Sequence, residues 1–215
     1  MGAVRISRLL PGISHHRTHM VLKESGMAKT EPKKSRQRKW VRYERKHANS
    51  LWHTDWFELG GRHVIVFIDD ASRLAVAAQA FPNATAENAI TALDAAVSRY
   101  GYPKQLMSDH GTQFTSLPRE GCAEPQPNAF QKRLAELGIQ HIKARVKHPQ
   151  SNGKAERFVG TVRTLMPHFH SLNELVRYYN MRRPHMSLDV GERLRTPFQT
   201  FIEKGGKERG DPKRN

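Results

Sequence analysis

Between Leu51 and Phe81 the chain makes three apolar-rich runs, LWHTDWFEL (51–59), HVIVFIDD (63–70) and RLAVAAQAF (73–81). Runs of this length, rich in Val, Ile, Phe and Trp, read as strands. The joints between them, Gly60-Gly61 and Asp70-Ala71-Ser72, are short enough for hairpins, so the strands are successive and antiparallel. The period then changes. Ala86, Ile90, Leu93 and Val97 recur at helical spacing, predicting a helix over 85–100 that ends at Gly101. KQLMS (104–108) reads as a fourth strand. Residues 117–128, LPREGCAEPQPN, hold three prolines and no periodicity, and read as a loop. Phe130, Leu134 and Leu137 line a short helix closed by Gly138, and IQHIKA (139–144) is a fifth strand. Two more helices carry the stripes Ala155, Phe158, Val159, Val162, Met166 and Leu172, Leu175, Val176, Tyr179.

The order of three antiparallel strands, helix, strand, helix, strand, helix predicts an α/β fold. It is the order of the ribonuclease H-like fold, a mixed five-stranded sheet flanked by helices, in which the first and fourth strands lie side by side. The expected organisation is a partial helix-turn-helix-like segment at 1–28, a basic linker at 29–47 and a core at 48–168. A C-terminal helical tail at 169–202 and a disordered polar tail at 203–215 follow.

Charge narrows the partner. The 36 Lys plus Arg against 20 Asp plus Glu give a net charge of +16 and a pI near 10.4. A surface so basic binds polyanions through counterion release. No run is long enough in apolar residues to span a bilayer, and no secretory signal is visible, so nucleic acid is expected rather than membrane. Cys122 is the only cysteine, which excludes an intrachain disulfide and a cysteine-rich zinc site and fits a cytoplasmic, nucleoid-associated setting. Residues 1–50 hold 13 Lys or Arg and 3 acids. Within them KKSRQRKWVRYERKH (33–47), including Lys39 and Arg42, reads either as a solvated linker or as an arm that tracks DNA. Upstream, two short helices broken at Pro11-Gly12, with Ser14 as N-cap and Gly26 as stop, have the outline of a helix-turn-helix whose supporting helix would precede Met1. His15, His16 and His19 read as polar helix surface.

Three carboxylates stand out. Asp55 lies in the middle of the first strand, Asp109 at the C-terminal end of the fourth, and Glu156 in the first turn of the helix that starts near Asn152. Taken alone, Asp109 in LMSDHGTQFTS also reads as a turn cap beside Gly111. A fold that gathers three like charges destabilises itself unless a cation intervenes, and hard carboxylate oxygens suit Mg²⁺ or Mn²⁺. Two such ions are the usual equipment for in-line displacement at a phosphodiester.

The stretches LWHTDWFEL, VIVFIDDASRLAVA, LMSDHGTQFTS and HPQSNGKAERFVGTVRTL, with the tail YYNMRRPHMSL…TPFQTF, resemble the integrase catalytic core of bacterial and archaeal insertion-sequence transposases, relatives of the retroviral integrases. The resemblance runs over about residues 48–202. It implies that Asp55, Asp109 and Glu156 form an Asp-Asp-Glu triad that is both catalytic and metal-binding, holding two Mg²⁺ or Mn²⁺ ions. It implies strand cleavage at the ends of a mobile element, followed by transfer of the 3′-hydroxyl into target DNA. The partners would be element terminal repeats, target DNA and further copies of the chain. Asn152, in a loop over the DNA, and Lys154, Arg157 and Arg163 beyond it are the expected DNA contacts, together with Lys39 and Arg42. Asp69 and Asp70 are expected to be structural. Two other readings stay open: a Mg²⁺-dependent nuclease of the same fold that cleaves without joining, and a transposase-derived DNA-binding protein without activity. The 46 residues between Asp109 and Glu156 exceed the family's usual spacing, by about the length of the Pro-rich loop at 117–128.

Overall fold

The computed structural model describes residues 2–10, 12–28, 44–116, 126–144, 153–188 and 194–209. Two compact units divide the chain, residues 1–43 with 184–195 and residues 44–183 with 196–215. In the smaller one, α1 (Ala3–Leu9) and α2 (His15–Glu24) pack on each other. The Ser14 hydroxyl accepts the Arg17 N–H and so caps α2. Beyond α2 the chain turns at Gly26.

The larger unit is a five-stranded sheet in the order β3-β2-β1-β4-β5, with β1 at Trp52–Leu59, β2 at Arg62–Asp69, β3 at Ala75–Phe81, β4 at Gln105–Ser108 and β5 at Gln140–Lys143. β1, β2 and β3 are antiparallel neighbours, while β4 and β5 run parallel to β1. Gly60 and Gly61 join β1 to β2 with φ of 58° and 73°, both in the left-handed region that a two-residue hairpin turn requires. The strands are therefore where alternation placed them, to within two residues at each end.

Helices cover both faces. On one, α3 (Ala86–Tyr100), α4 (Ala129–Glu136) and α7 (Pro197–Glu203) bury Leu93, Phe130 and Phe201 against Trp52, Phe67 and Leu106. On the other, α5 (Gly153–Leu165) and α6 (Leu172–Met181) bury Phe158, Val162, Leu175 and Tyr179 against Phe57, Val64, Val66 and Ile68. The buried stripe of α3 is made largely of alanines, Ala89, Ala92 and Ala96, with Ile90 only partly covered, because small side chains let the helix lie close on the sheet. Among the described residues no helix is long and apolar enough to cross a membrane.

The C-terminal region departs from the expected tail. α6 and α7 belong to the two hydrophobic clusters of the core. Residues 203–209, expected as the start of a disordered polar tail, pack back on it. Gly206 lies where a Cβ would strike the Phe201 ring, the Arg209 N–H donates to the Arg99 carbonyl at 2.7 Å, and Glu208 pairs with Arg99. The buried Asn180 amide grips β3 from α6, its Oδ1 accepting the Ala75 N–H at 3.0 Å and its Nδ2 donating to the Ala75 carbonyl at 2.9 Å. Asn180→Ala leaves both backbone groups buried without partners. It is expected to cost about 2 kcal/mol, read as a lower urea midpoint at unchanged slope; an unchanged midpoint would show that water replaces the amide.

Candidate carboxylate site

β1 and β4 pair in register, Trp52 with Leu106 and His53 with Met107. Continued two residues, that register sets Asp109, just past the end of β4, beside Asp55. Alternation decides the face. Trp52 and Leu106 lie in the cluster under α3, so the positions three residues on point the other way, toward α5. Phe57, two beyond Asp55, is buried against α5 and α6 as this requires. Glu156 sits in the first turn of α5, exposed beside the buried Ala155 and Phe158.

Asp55 feels the charges of both other carboxylates. Asp55 is pushed up from 3.8 to about 6, first by burial, then by the charge of Asp109 and to a smaller degree by that of Glu156, against a lowering hydrogen bond from the Trp56 N–H. Asp109 Oδ1 accepts the Gly111 N–H at 3.0 Å, so the turn-cap role is present alongside the placement opposite Asp55. A Cβ on Gly111 would stand 3.1 Å from that oxygen and 2.6 Å from Gln113 Oε1, so any other residue there would displace the Gln113 side chain. The end of β4 is held by the buried Ser108. Its hydroxyl donates to the Asp109 carbonyl and lies 2.8 Å from His141 Nε2. Burial, with help from Lys143, lowers His141 to about 4, so the ring is neutral at pH 7 and shares a hydrogen bond with the Ser108 hydroxyl. His110 Nε2 donates to the Ala144 carbonyl at 2.7 Å.

A second acidic centre lies beside the first. Asp69 is fully buried and accepts the Ser72 N–H and hydroxyl and the Asn49 N–H, fixing the turn between β2 and β3. Asp70, also buried, accepts from the Arg45 N–H at 2.7 Å, from His53 Nε2 at 2.8 Å, and from the Lys154 ammonium. Burial would raise Asp70, but the hydrogen bonds from His53 and Lys154 outweigh it and hold the carboxyl well below the usual range. Lys154 is lowered to about 8 by burial and by Arg73, against the pull of Asp70. Residue patterning did not single out His53, although its position two before Asp55 puts it on the same strand face.

Of the expected DNA contacts, Arg157 and Arg163 are exposed on α5. Lys154 is half-buried with its ammonium on Asp70. Asn152, Lys39 and Arg42 lie outside the described residues, as does most of the 117–128 loop. Among the described residues no three acidic, histidine or cysteine side chains stand close enough to hold a metal ion. Asp55 Oδ1 is turned to the Trp56 N–H at 2.9 Å and Asp109 Oδ1 to Gly111. The donor chemistry nevertheless fits a hard divalent cation: three carboxylates, with the charges of Asp109 and Glu156 both acting on Asp55.

Residues 45–149 match the integrase core domain family, and residues 137–191 match a second family of the same description. The chain is a member of the ribonuclease H-like integrase and transposase superfamily. The Gag-Pol polyprotein of koala retrovirus is 32% identical over 121 residues, 52% of this chain and 6% of the polyprotein, so the chain spans a small part of that relative's length. Two solved structures share the fold. A chain of the simian T-cell lymphotropic virus intasome in complex with PP2A regulatory subunit B56 gamma is 20% identical with a TM-score of 0.59, over 92% of this chain and 70% of that one. The HTLV-2 integrase catalytic core, solved with magnesium in a dimeric form, is 19% identical with a TM-score of 0.54, over 72% of this chain and 97% of that one.

In this integrase core the raised Asp55 has a sign that can be checked. A carboxyl whose folded pKa exceeds its unfolded one stabilises the fold fully below about pH 4 and loses that contribution as pH rises through 6. Asp55→Asn, which cannot ionise, is expected to raise the Tm of cation-free protein at pH 7.5 by a few degrees, about 1–2 kcal/mol after allowance for partial exposure. The gain should shrink toward pH 4. A lower Tm at pH 7.5 would mean that Asp55 carries no net repulsion.

Proposed function

We propose that the chain is a DNA transposase or integrase of the Asp-Asp-Glu class, a polynucleotidyl transferase that cleaves a strand at an element end and joins the exposed 3′-hydroxyl to target DNA. The observation that carries the reading is the raised Asp55, lifted first by burial and then by the charges of Asp109, just past β4, and Glu156, on α5. Asp55, Asp109 and Glu156 would hold Mg²⁺ or Mn²⁺, which supplies charge compensation and lowers the pKa of the attacking oxygen's proton. The HTLV-2 core solved with magnesium supports that choice.

Each chemical step is an in-line exchange at phosphorus. In cleavage, a water oxygen forms a P–O bond while the bond to the 3′ oxygen breaks, and that oxygen leaves as a hydroxyl. In joining, the new 3′-hydroxyl attacks and a target 3′ oxygen leaves. The chain's own part is to place the scissile phosphate. Arg157 and Arg163, exposed along α5 after Glu156, would take the strand's phosphates, and Asn152, Lys39 and Arg42 are further proposed DNA contacts. The protein would act as a homo-oligomer that holds two DNA ends, a reading supported by the intasome and the dimeric core among the structures of the same fold.

Supercoiled plasmid and labelled element ends, incubated with Mg²⁺ or Mn²⁺, test the reading. Nicking and joining are expected in the wild type, with a loss of about a thousandfold or more, several kcal/mol in barrier, in Asp109→Asn. Nicking without joining would make the protein a nuclease of the same fold, and equal trace activity in both proteins would leave only DNA binding. In the same assay without cation, Arg157→Ala and Arg163→Ala should each lower the slope of log affinity against log salt by about one. An unchanged slope removes that residue from the phosphate contacts.

A further inference from the structure

Asp70 joins three elements that bear on the carboxylate site. Its buried carboxylate takes the Lys154 ammonium from α5, the His53 ring from β1 and the Arg45 N–H from the segment that enters the core. Lys154 is two residues before Glu156, and His53 is two before Asp55 on the same face of the strand, about 7 Å away along it. The apolar stripe that seats α5, Ala155, Phe158, Val159 and Val162, is non-directional and leaves the helix free to slide or roll on the sheet. A directional contact at its first turn removes that freedom. Lys154 supplies it, since its ammonium donates to the Asp70 side chain and lies 3.4 Å from the Asp70 carbonyl oxygen. Arg73 reinforces the frame from the adjoining turn. It holds a φ of 64°, pairs with Glu44 at 2.7 Å, and accepts the Tyr179 hydroxyl at its carbonyl.

We propose that Asp70 is a positioning residue for the carboxylate site, latching Lys154 to set Glu156 and holding His53 to set Asp55. The inference rests on the reading of those carboxylates as cation ligands. It assigns Lys154 an inward role in place of a contact to DNA phosphate. The latch does not touch substrate, so its signature is cation affinity without loss of DNA affinity.

The test measures Mn²⁺ affinity by electron paramagnetic resonance titration, and DNA affinity in EDTA across a salt series, on the full chain. The variants are Asp70→Asn, Lys154→Gln, Lys154→Arg and Asp109→Asn. Asp70→Asn and Lys154→Gln are expected to weaken Mn²⁺ binding about tenfold or more, Lys154→Arg to recover most of it, and DNA affinity in EDTA to stay at the wild-type level. Should Asp70→Asn not fold, the two Lys154 variants decide. A folded Lys154→Gln that binds Mn²⁺ like the wild type overturns the latch. So does a fall in its EDTA-measured DNA affinity with a salt slope lower by about one, which makes Lys154 a phosphate contact. If the wild type binds Mn²⁺ and Asp109→Asn does not, such a result sinks the latch alone. If the wild type binds no Mn²⁺, the carboxylate reading falls and the latch falls with it.

Discussion

Parallel pairing of β1 with β4 is the constraint on which the carboxylate site depends. A central strand flanked by one antiparallel and one parallel neighbour needs a crossover, and the chain makes it with α3, whose buried face lies on the sheet opposite the site. The crossover returns the chain in a register that sets residue 106 against residue 52. Every later placement follows from this number. Slipping β4 by one residue would turn Leu106 out of the core and carry the aspartate after it to the α3 side. The apolar demand of Leu106 and Trp52, both fully buried, thus fixes where Asp109 stands.

Five acids lie on or beside β1 and its neighbours, and the structure treats them in two ways. Asp69 and Asp70 are buried, yet backbone N–H groups, a serine, a histidine and a lysine take up their oxygens. Buried charge is tolerated when it is paired and hydrogen-bonded in this way, fully so at Asp70, while burial still raises Asp69. Among the described residues Asp55 and Asp109 each receive one backbone N–H, and the charges of Asp109 and Glu156 act on Asp55. The contrast within one neighbourhood separates a structural pair from a functional trio better than either count of acids could. A fold that pairs its acids at the β2–β3 turn and leaves those at Asp55 uncompensated is one in which something else is expected to enter.

Much of this was legible in residue order. The meander, the helix that follows it and the two short strands were readable from period alone, because each buries one face in its own rhythm. Asp55 and Asp109 became candidates through the local contexts LWHTDWFEL and LMSDHGTQFTS and the resemblance those carry, since spacing alone does not single out three acids among 20. Ala89, Ala92 and Ala96 were missed as core, since alanine carries little periodic signal. α7 was hidden for a different reason. It has only seven residues, too few for period, and its marker is the capping box of Thr196 and Gln199 with Pro197 at the first position. The inward turn of Lys154 had no local signal at all, because its partner lies 84 residues away in sequence.

The long separation of Asp109 from Glu156 is absorbed before it reaches either residue. The two ends of the Pro-rich loop are tied together at its base. Asn128 Nδ2 donates to the carbonyls of Thr112 and Gln113, and Gln131 Oε1 accepts from the N–H and hydroxyl of Ser116 and from the N–H of Asn128. The same Asn128 and Gln131 form the capping box that starts α4. A loop closed at its base adds only loop entropy as it lengthens, growing with the logarithm of its size. Phe114 and Phe130, on either side of this clasp, pack edge to face in the core with centroids 5.2 Å apart. The turn that carries Asp109 and the helix that leads toward β5 are therefore joined through the clasp, and the number of residues beyond it does not enter the geometry of the site.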